Sequence, residues 1–162
     1  KKKEAALKID TFYDLGKARR VEAVIKQMLI DKGRPFGTVK HDSKGMGASG
    51  TQVSFVIDDG PKARVKSIEF TGNQVFSDGA LRKRMKNIKQ SGFLNWTWIS
   101  GKNKFTEEKW SDGPESDKAR LLEKYLDQGY VTASVGDPVV TYTDAGSAKK
   151  PVKEMNLWMA IA

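Results

Sequence analysis

The sequence predicts an α+β fold built from tandem β-α-α-β-β units, each a three-stranded sheet covered by two helices. Three observations lead there. Short runs of period-2 alternation are interleaved with apolar stripes of helical period. The order helix, strand, strand in residues 1–62 returns in residues 63–162, where a further strand opens it. Between the halves stands Asp58-Asp59-Gly60-Pro61, a turn-forming boundary. The expected domains are 1–62, lacking its opening strand, and 63–162, complete. Such repetition points to an array of small domains with more chain beyond both ends.

The first unit contributes a helix over Lys17–Lys32, where Val21, Val24, Ile25, Met28 and Leu29 make one apolar stripe. Gly33 stops it and Pro35 prevents its resumption. Phe12, Tyr13 and Leu15 are expected to contact a core. Phe36–Asp42 reads as a strand, residues 43–50 as a glycine-rich turn, and Thr51–Asp58 as a second strand with Val53, Phe55 and Ile57 on one face.

In the second unit, Arg64–Thr71 is the opening strand, with Val65, Ile68 and Phe70 as its apolar positions. Thr71-Gly72-Asn73 suits a tight exit, since Gly and Asn tolerate positive φ. Val75 and Phe76 return the chain to the core. Ser77-Asp78 caps a helix to Lys89 that carries Leu81, Met85 and Ile88. Gln90–Lys104 is a long connection holding Phe93, Leu94, Trp96, Trp98 and Ile99. Thr106–Trp110 is read as a helical turn, and Ser116 or Asp117 starts a helix that Gly129 ends. Tyr130–Val135 and Val139–Thr143 are one strand or two, bent at Gly136-Asp137-Pro138. Asp144–Pro151 reads as a loop, and Val152–Ile161 as the last strand.

Composition narrows the chemistry. The 162 residues suffice for one ordinary domain or two small ones. No apolar run approaches the roughly 18–20 residues of a membrane helix. No signal-peptide pattern opens the sequence, so the chain is either cytoplasmic or a piece of a longer exported protein. The absence of cysteine removes thiol catalysis, disulfides and the usual zinc sites. A net charge of +9 favours anionic partners, although lysines spread along the chain equally suit a solvated surface. His41, the only histidine, is read as a surface residue without the neighbours catalysis needs. Glu107, Glu108, Asp112, Glu115 and Asp117 are explained by the preference for acids at helix starts. Phe93, Trp96 and Trp98 beside Lys102 and Lys104 are a mixture used for single-stranded nucleic acid. Anchoring a long loop explains the aromatics as well. Gly47-Ala48-Ser49-Gly50 has the G-x-x-G spacing of a KH-type loop but joins two strands instead of two helices.

The stretch V-x-x-I-x-F-x-G-N-x-x-F-S at residues 65–77 resembles the opening of a POTRA domain, the periplasmic repeat of BamA-type outer-membrane barrel-assembly proteins. The markers, in order, are Gly72, Asn73 and Phe76, then Trp96 and Trp98 followed by Gly101 and Phe105, then Tyr125, Gly129 and Tyr130. The likeness covers residues 64–162 well and 17–62 more loosely. It implies a mixed sheet and a binding scaffold without chemistry, cofactor or metal, in the periplasm and attached to the outer membrane through the rest of the protein. The implied partners are unfolded outer-membrane proteins, accessory lipoproteins, further domains and a membrane barrel, with no specific nucleic acid. In the family fold the strand after the second helix is the sheet edge, where an extended chain can add as an extra strand. That places candidate protein-binding edges at Tyr130, Val131, Thr132, Ala133, Ser134 and Val135, and at Phe36, Gly37, Thr38, Val39 and Lys40 in the first unit. The alternatives are a nucleic-acid-binding α+β module and the POTRA pair of a dedicated two-partner secretion transporter.

Overall fold

The structure is a computed structural model that describes residues 13–91, 102–111 and 113–162. The chain divides into two compact units, Lys1–Lys62 and Ala63–Ala162.

In the first unit, helix α1 spans Leu15–Asp31. Asp14 caps it, its carboxylate accepting from the Gly16 and Lys17 amides, so the helix starts two residues before the expected Lys17. Gly33, at φ 78°, follows its end. Strands β1 (Thr38–Gly45) and β2 (Thr51–Asp58) form an antiparallel pair around a 3₁₀ turn at Gly47–Ser49. Strand β1 therefore starts at Thr38, with Phe36 and Gly37 ahead of it. Ala18 and Leu29 are the buried apolar residues of this unit among those described. Tyr13 and Leu15, expected in a core, are exposed, and Phe12 lies outside the described residues.

The second unit runs β3 (Lys62–Thr71), α2 (Asp78–Arg84), α3 (Glu107–Ser111), α4 (Asp117–Leu126), β4 (Val139–Ser147), β5 (Lys150–Ala160). The sheet order is β3-β5-β4. Strands β4 and β5 are antiparallel, from Val139 opposite Trp158 to Ser147 opposite Lys150. Contacts between β3 and β5 ascend together: Lys66 with Glu154, Ser67 with Asn156, and Thr71 with Ile161. The sheet is therefore mixed. Met155, Leu157, Met159 and Ile161 turn inward from β5 and its end, against Leu81, Met85, Ile88, Trp110 and Leu121.

The opening strand departs from strict alternation. Val65 and Ile68 are both buried, while Lys66 and Ser67 both reach residues on the outer face of β5. Two successive residues facing one way are what a β-bulge produces, and the polar pair in V-K-S-I requires one if both apolar neighbours are to be buried.

The Gly72-Asn73 turn has a geometric cause. Gly72 sits at φ 80°, and a Cβ there would collide with the Ile161 carbonyl oxygen. The Asn73 amide donates to the Phe76 carbonyl (3.0 Å) and to Asp78 Oδ1 (2.8 Å), so it ties the turn to the start of α2. Phe76 packs against the core, whereas Val75 is exposed.

Helix α2 ends at Arg84, short of the expected Lys89. The reason is distant in sequence. Asp117 is fully buried, and its carboxylate accepts the backbone N–H groups of Lys86, Asn87 and Ile88 at 2.7–3.2 Å. Those amides leave the helical ladder, yet Met85 and Ile88 stay buried. Ser77 and Ser116 play matching parts, each capping a helix that begins with an aspartate.

Two further expectations are corrected. Tyr130–Val135 is not a strand. Past Gly129 (φ 85°) the chain folds through tight turns: the Tyr130 amide bonds the Tyr125 carbonyl, Val131 bonds Gly129, and Ala133 bonds Tyr130. Only its end meets the sheet: Val135 bridges Ile161, and Ser134 exchanges backbone hydrogen bonds with Ala162 at 2.7 and 3.1 Å. Nor is Asp144–Pro151 a loop, since pairing runs to Ser147 opposite Lys150 and leaves Ala148-Lys149 as the turn. Gly146, two residues before that turn, sits at φ 91°, where a Cβ would collide with the Lys150 carbonyl oxygen.

Replacing Asp117 with Ala orphans three amides and should lower unfolding stability by about 3 kcal/mol. Gly72→Ala should cost at least about 2 kcal/mol, from strain plus backbone collision. Urea unfolding followed by tryptophan fluorescence measures both.

Candidate functional site

Sheet edges are where this architecture offers backbone groups to a partner. Strand β5 is flanked on both sides, so it offers none. The far side of β3 is partly taken: the Val65 N–H donates to the Asn103 carbonyl, and the Val65 carbonyl accepts from Ser91, both at 2.8 Å. Strand β4 is the other edge, and among the described residues no strand pairs with its outer side.

The residues of β4 suit an acceptor strand. Val139, Val140, Thr141, Tyr142 and Thr143 have high strand propensity. This stretch contains no Lys, Arg or Pro, the residues that commonly guard exposed edges. Val140 and Tyr142 face the helix side, opposite Leu157 and Met155, and Val139 faces outward opposite Trp158. Val139 is 65% exposed and Tyr142 41%, so both faces of the edge keep apolar surface for an added strand to cover. Burial of part of the Tyr142 ring pushes its hydroxyl above the usual phenol value, which keeps it neutral. The first charge along the strand is Asp144, whose carboxylate holds Lys153 at 2.6 Å.

The start of β4 is fixed from the helix layer. Asp137 accepts from the Lys118 ammonium (2.6 Å) and from the Trp110 indole N–H (3.2 Å). The Lys118 hydrogen bond, with the Trp110 bond second, holds the Asp137 carboxyl below its usual value. Trp110 itself is fully buried, so this anchor joins core to edge.

The candidate edge Phe36–Lys40 is differently placed. Thr38, Val39 and Lys40 lie on β1, paired to Asp58, Ile57 and Val56 of β2. Helix α1 clasps the outer side of this segment. The Glu22 carboxylate accepts the His41 backbone N–H at 2.6 Å, and Lys26 Nζ donates to the Pro35 (3.2 Å) and Gly37 carbonyls. His41 is thus half-buried, not a free surface residue. Its Nδ1 lies 2.9 Å from Glu22 Oε1, a hydrogen bond when that nitrogen carries the proton. The bond from His41 holds the Glu22 carboxyl below its ordinary value, against a smaller upward push from burial.

The expected motif residues are brought together. The Phe76 ring meets Tyr125 edge-on at 4.9 Å, Tyr125 meets Tyr130 at 6.1 Å, and the Lys124 ammonium lies 4.1 Å over Phe76. With Gly72, Asn73 and Gly129 they shape one end of the unit. Burial, with Tyr130 nearby, pushes the Tyr125 hydroxyl upward. Of the expected edge at Tyr130–Val135, only Ser134 and Val135 pair, with Ala162 and Ile161. Phe93, Trp96, Trp98 and Gly101 lie outside the described residues, as does Asp112. Among the described residues no three metal-ligating side chains converge, and no helix is long and apolar enough to cross a membrane.

Residues 63–157 match the family described as "POTRA: Surface antigen variable number repeat", which is more than half of the chain. The chain belongs to the POTRA family. It is 24% identical over 142 residues to the outer membrane protein assembly factor BamA of Neisseria meningitidis serogroup B. That similarity covers 88% of this chain and 17% of the relative. A putative outer membrane protein assembly factor of Treponema pallidum is 27% identical over 129 residues, which cover 80% of this chain and 14% of that protein. The POTRA chain thus spans less than a fifth of either relative. The crystal structure of BamA from Haemophilus ducreyi lacking POTRA domains 1-3 shares the fold at TM-score 0.50 and 20% identity. The match covers 95% of this chain and 24% of that one.

The clasp on β1 should be pH-dependent. A carboxyl with a lowered value stabilises above the ordinary carboxylate range, and the effect is lost as pH falls through the lowered value. Hydrogen exchange at the His41 amide, corrected for intrinsic rate, should therefore accelerate in acid below that range. In Glu22→Gln the acid-dependent part should disappear.

Proposed function

We propose that this POTRA chain serves in the periplasmic scaffold of an outer-membrane protein assembly machine, attached to the outer membrane through the rest of the protein. Its partners are unfolded outer-membrane proteins and accessory lipoproteins of the complex. The acceptor is the outer edge of β4. The observation that carries this reading is that β4 ends the sheet, with no further strand on its outer side among the described residues and no guarding Lys, Arg or Pro from Val139 to Thr143. Strand addition uses backbone groups that every client possesses, so one edge serves many sequences. The printed names of both curated relatives, as outer membrane protein assembly factors, support the setting. The segment Thr38–Lys40 is the poorer acceptor, because Glu22 and Lys26 already hold backbone groups beside it.

The first unit is, in this reading, a POTRA repeat whose opening strand belongs on the outer side of β2. That is the position β3 takes beside β5 in the second unit. Exposed Val56 and Ile57 on β2 fit a strand that has a neighbour.

The test is NMR titration of isotope-labelled protein with an outer-membrane β-strand peptide and with the same peptide N-methylated on its pairing face. The plain peptide should shift and protect amides within Val139–Ser147, and N-methylation should weaken binding at least about tenfold, since it removes the donors. Equal binding of both peptides, or shifts centred elsewhere, would sink the proposal.

A further inference from the structure

The outward face of the second unit's sheet carries a row of side chains that the fold itself does not use. Its position follows from the register. The Ile161 N–H donates to the Thr71 carbonyl at 2.8 Å, which in a parallel pair sets Thr71 opposite Ala160. The Ser67 hydroxyl bonds the Asn156 side chain at 2.9 Å, the same offset. Midway between these pairs, Glu69 stands opposite Trp158. On the other side of β5, Trp158 is opposite Val139. Ile68, Phe70, Leu157 and Met159 are buried, so Glu69 and Trp158 point away from the core. The row Glu69–Trp158–Val139 therefore crosses all three strands on the open face.

The neighbouring row is internally satisfied: Ser67 bonds Asn156, and Lys66 pairs with Glu154 at 2.6 Å. Glu69 has no ion-pair partner among the described residues. Trp158 is 43% exposed although it stands on the central strand. A π-face beside an uncommitted carboxylate, walled by an aliphatic residue, has the chemistry of a guanidinium receptor. The cation stacks on the indole, the carboxylate takes its N–H groups, and the aliphatic wall covers the side-chain stem. Lysine fits less well, because its ammonium is a strongly hydrated point charge and does not stack. The acid is also notable in a chain of net charge +9.

We propose that this row is a docking site for an arginine side chain presented by a partner protein, lying across the sheet face and meeting the β4 edge only at Val139. A single captured side chain binds at about millimolar strength, and a folded partner adds affinity through the contacts around it.

The experiment uses N-acetyl-arginine amide as the probe, with N-acetyl-citrulline amide as its neutral counterpart. Both are titrated into the labelled chain while the Trp158 indole N–H is followed, its signal assigned by its loss in Trp158→Phe. The arginine probe should give a saturable shift at the Trp158 indole and the Glu69 amide. Citrulline should bind at least about fivefold more weakly, and Glu69→Gln should reduce arginine binding by a similar factor, with its spectrum otherwise unchanged. Absence of a saturable shift, equal response to citrulline, or undiminished binding in Glu69→Gln overturns the proposal. None of these outcomes bears on strand addition at β4, which the peptide titration reads separately.

Discussion

Asp117 is fully buried, and its carboxylate takes the backbone amides of Lys86, Asn87 and Ile88. A charge in the interior is tolerated only when it is so completely hydrogen-bonded. The arrangement ends α2, fixes the start of α4 against it, and sends Met85 and Ile88 into the core. The helix layer is therefore closed from within and covers one face of the sheet. What the sheet can offer to partners is then what this layer leaves open: its second face and its edges.

Among the strand edges of the second unit, β4 stands out because the backbone of the others is occupied or partly taken. Strand β5 has neighbours on both sides, and Val65 of β3 is bonded by Ser91 and Asn103. In the first unit, side chains of α1 hold the backbone beside β1. An exposed edge strand invites indiscriminate pairing unless its length or charge limits it. Short length and an acid at Asp144 limit the unguarded stretch of β4 to its first five residues.

Much of this was legible in the sequence, and the failures share a cause. The helix of the first unit, the two strands after it, and the strand–turn–cap passage from Val65 to Asp78 were each written locally. Gly72 and Asn73 announced a turn because their own backbone preferences decide it. The end of α2 was not legible, since its cause sits about thirty residues away in Asp117. Helical spacing of Met85 and Ile88 continued past the point where the amides change partners. Tyr130–Val135 has strand-like composition, but the turn bonds after Gly129 override it. Conversely, Asp144–Ser147 looks like a loop and is strand, because pairing with β5 outweighs local preference. The β4 edge itself left one readable sign, a run of Val, Thr and Tyr without a guarding charge. The bulge goes unread: Val65–Phe70 reads as regular alternation, and the two polar residues between Val65 and Ile68 break that period.

The parallel pairing of β3 with β5 joins residues 89 apart, Ser67 to Asn156. Strands β4 and β5, by contrast, are joined through a two-residue turn. Loop closure makes distant pairings slow and hairpins fast. Loop closure thus favours pairing of the β4–β5 ribbon ahead of β3, and until β3 pairs both sides of that ribbon are vacant. The side that β3 will take is the richer one, facing the strand that carries Met155, Leu157 and Met159. Any extended chain present during that interval could occupy the vacancy, so the domain's own first strand competes with foreign strands for it, and the speed of that closure decides how cleanly the domain matures.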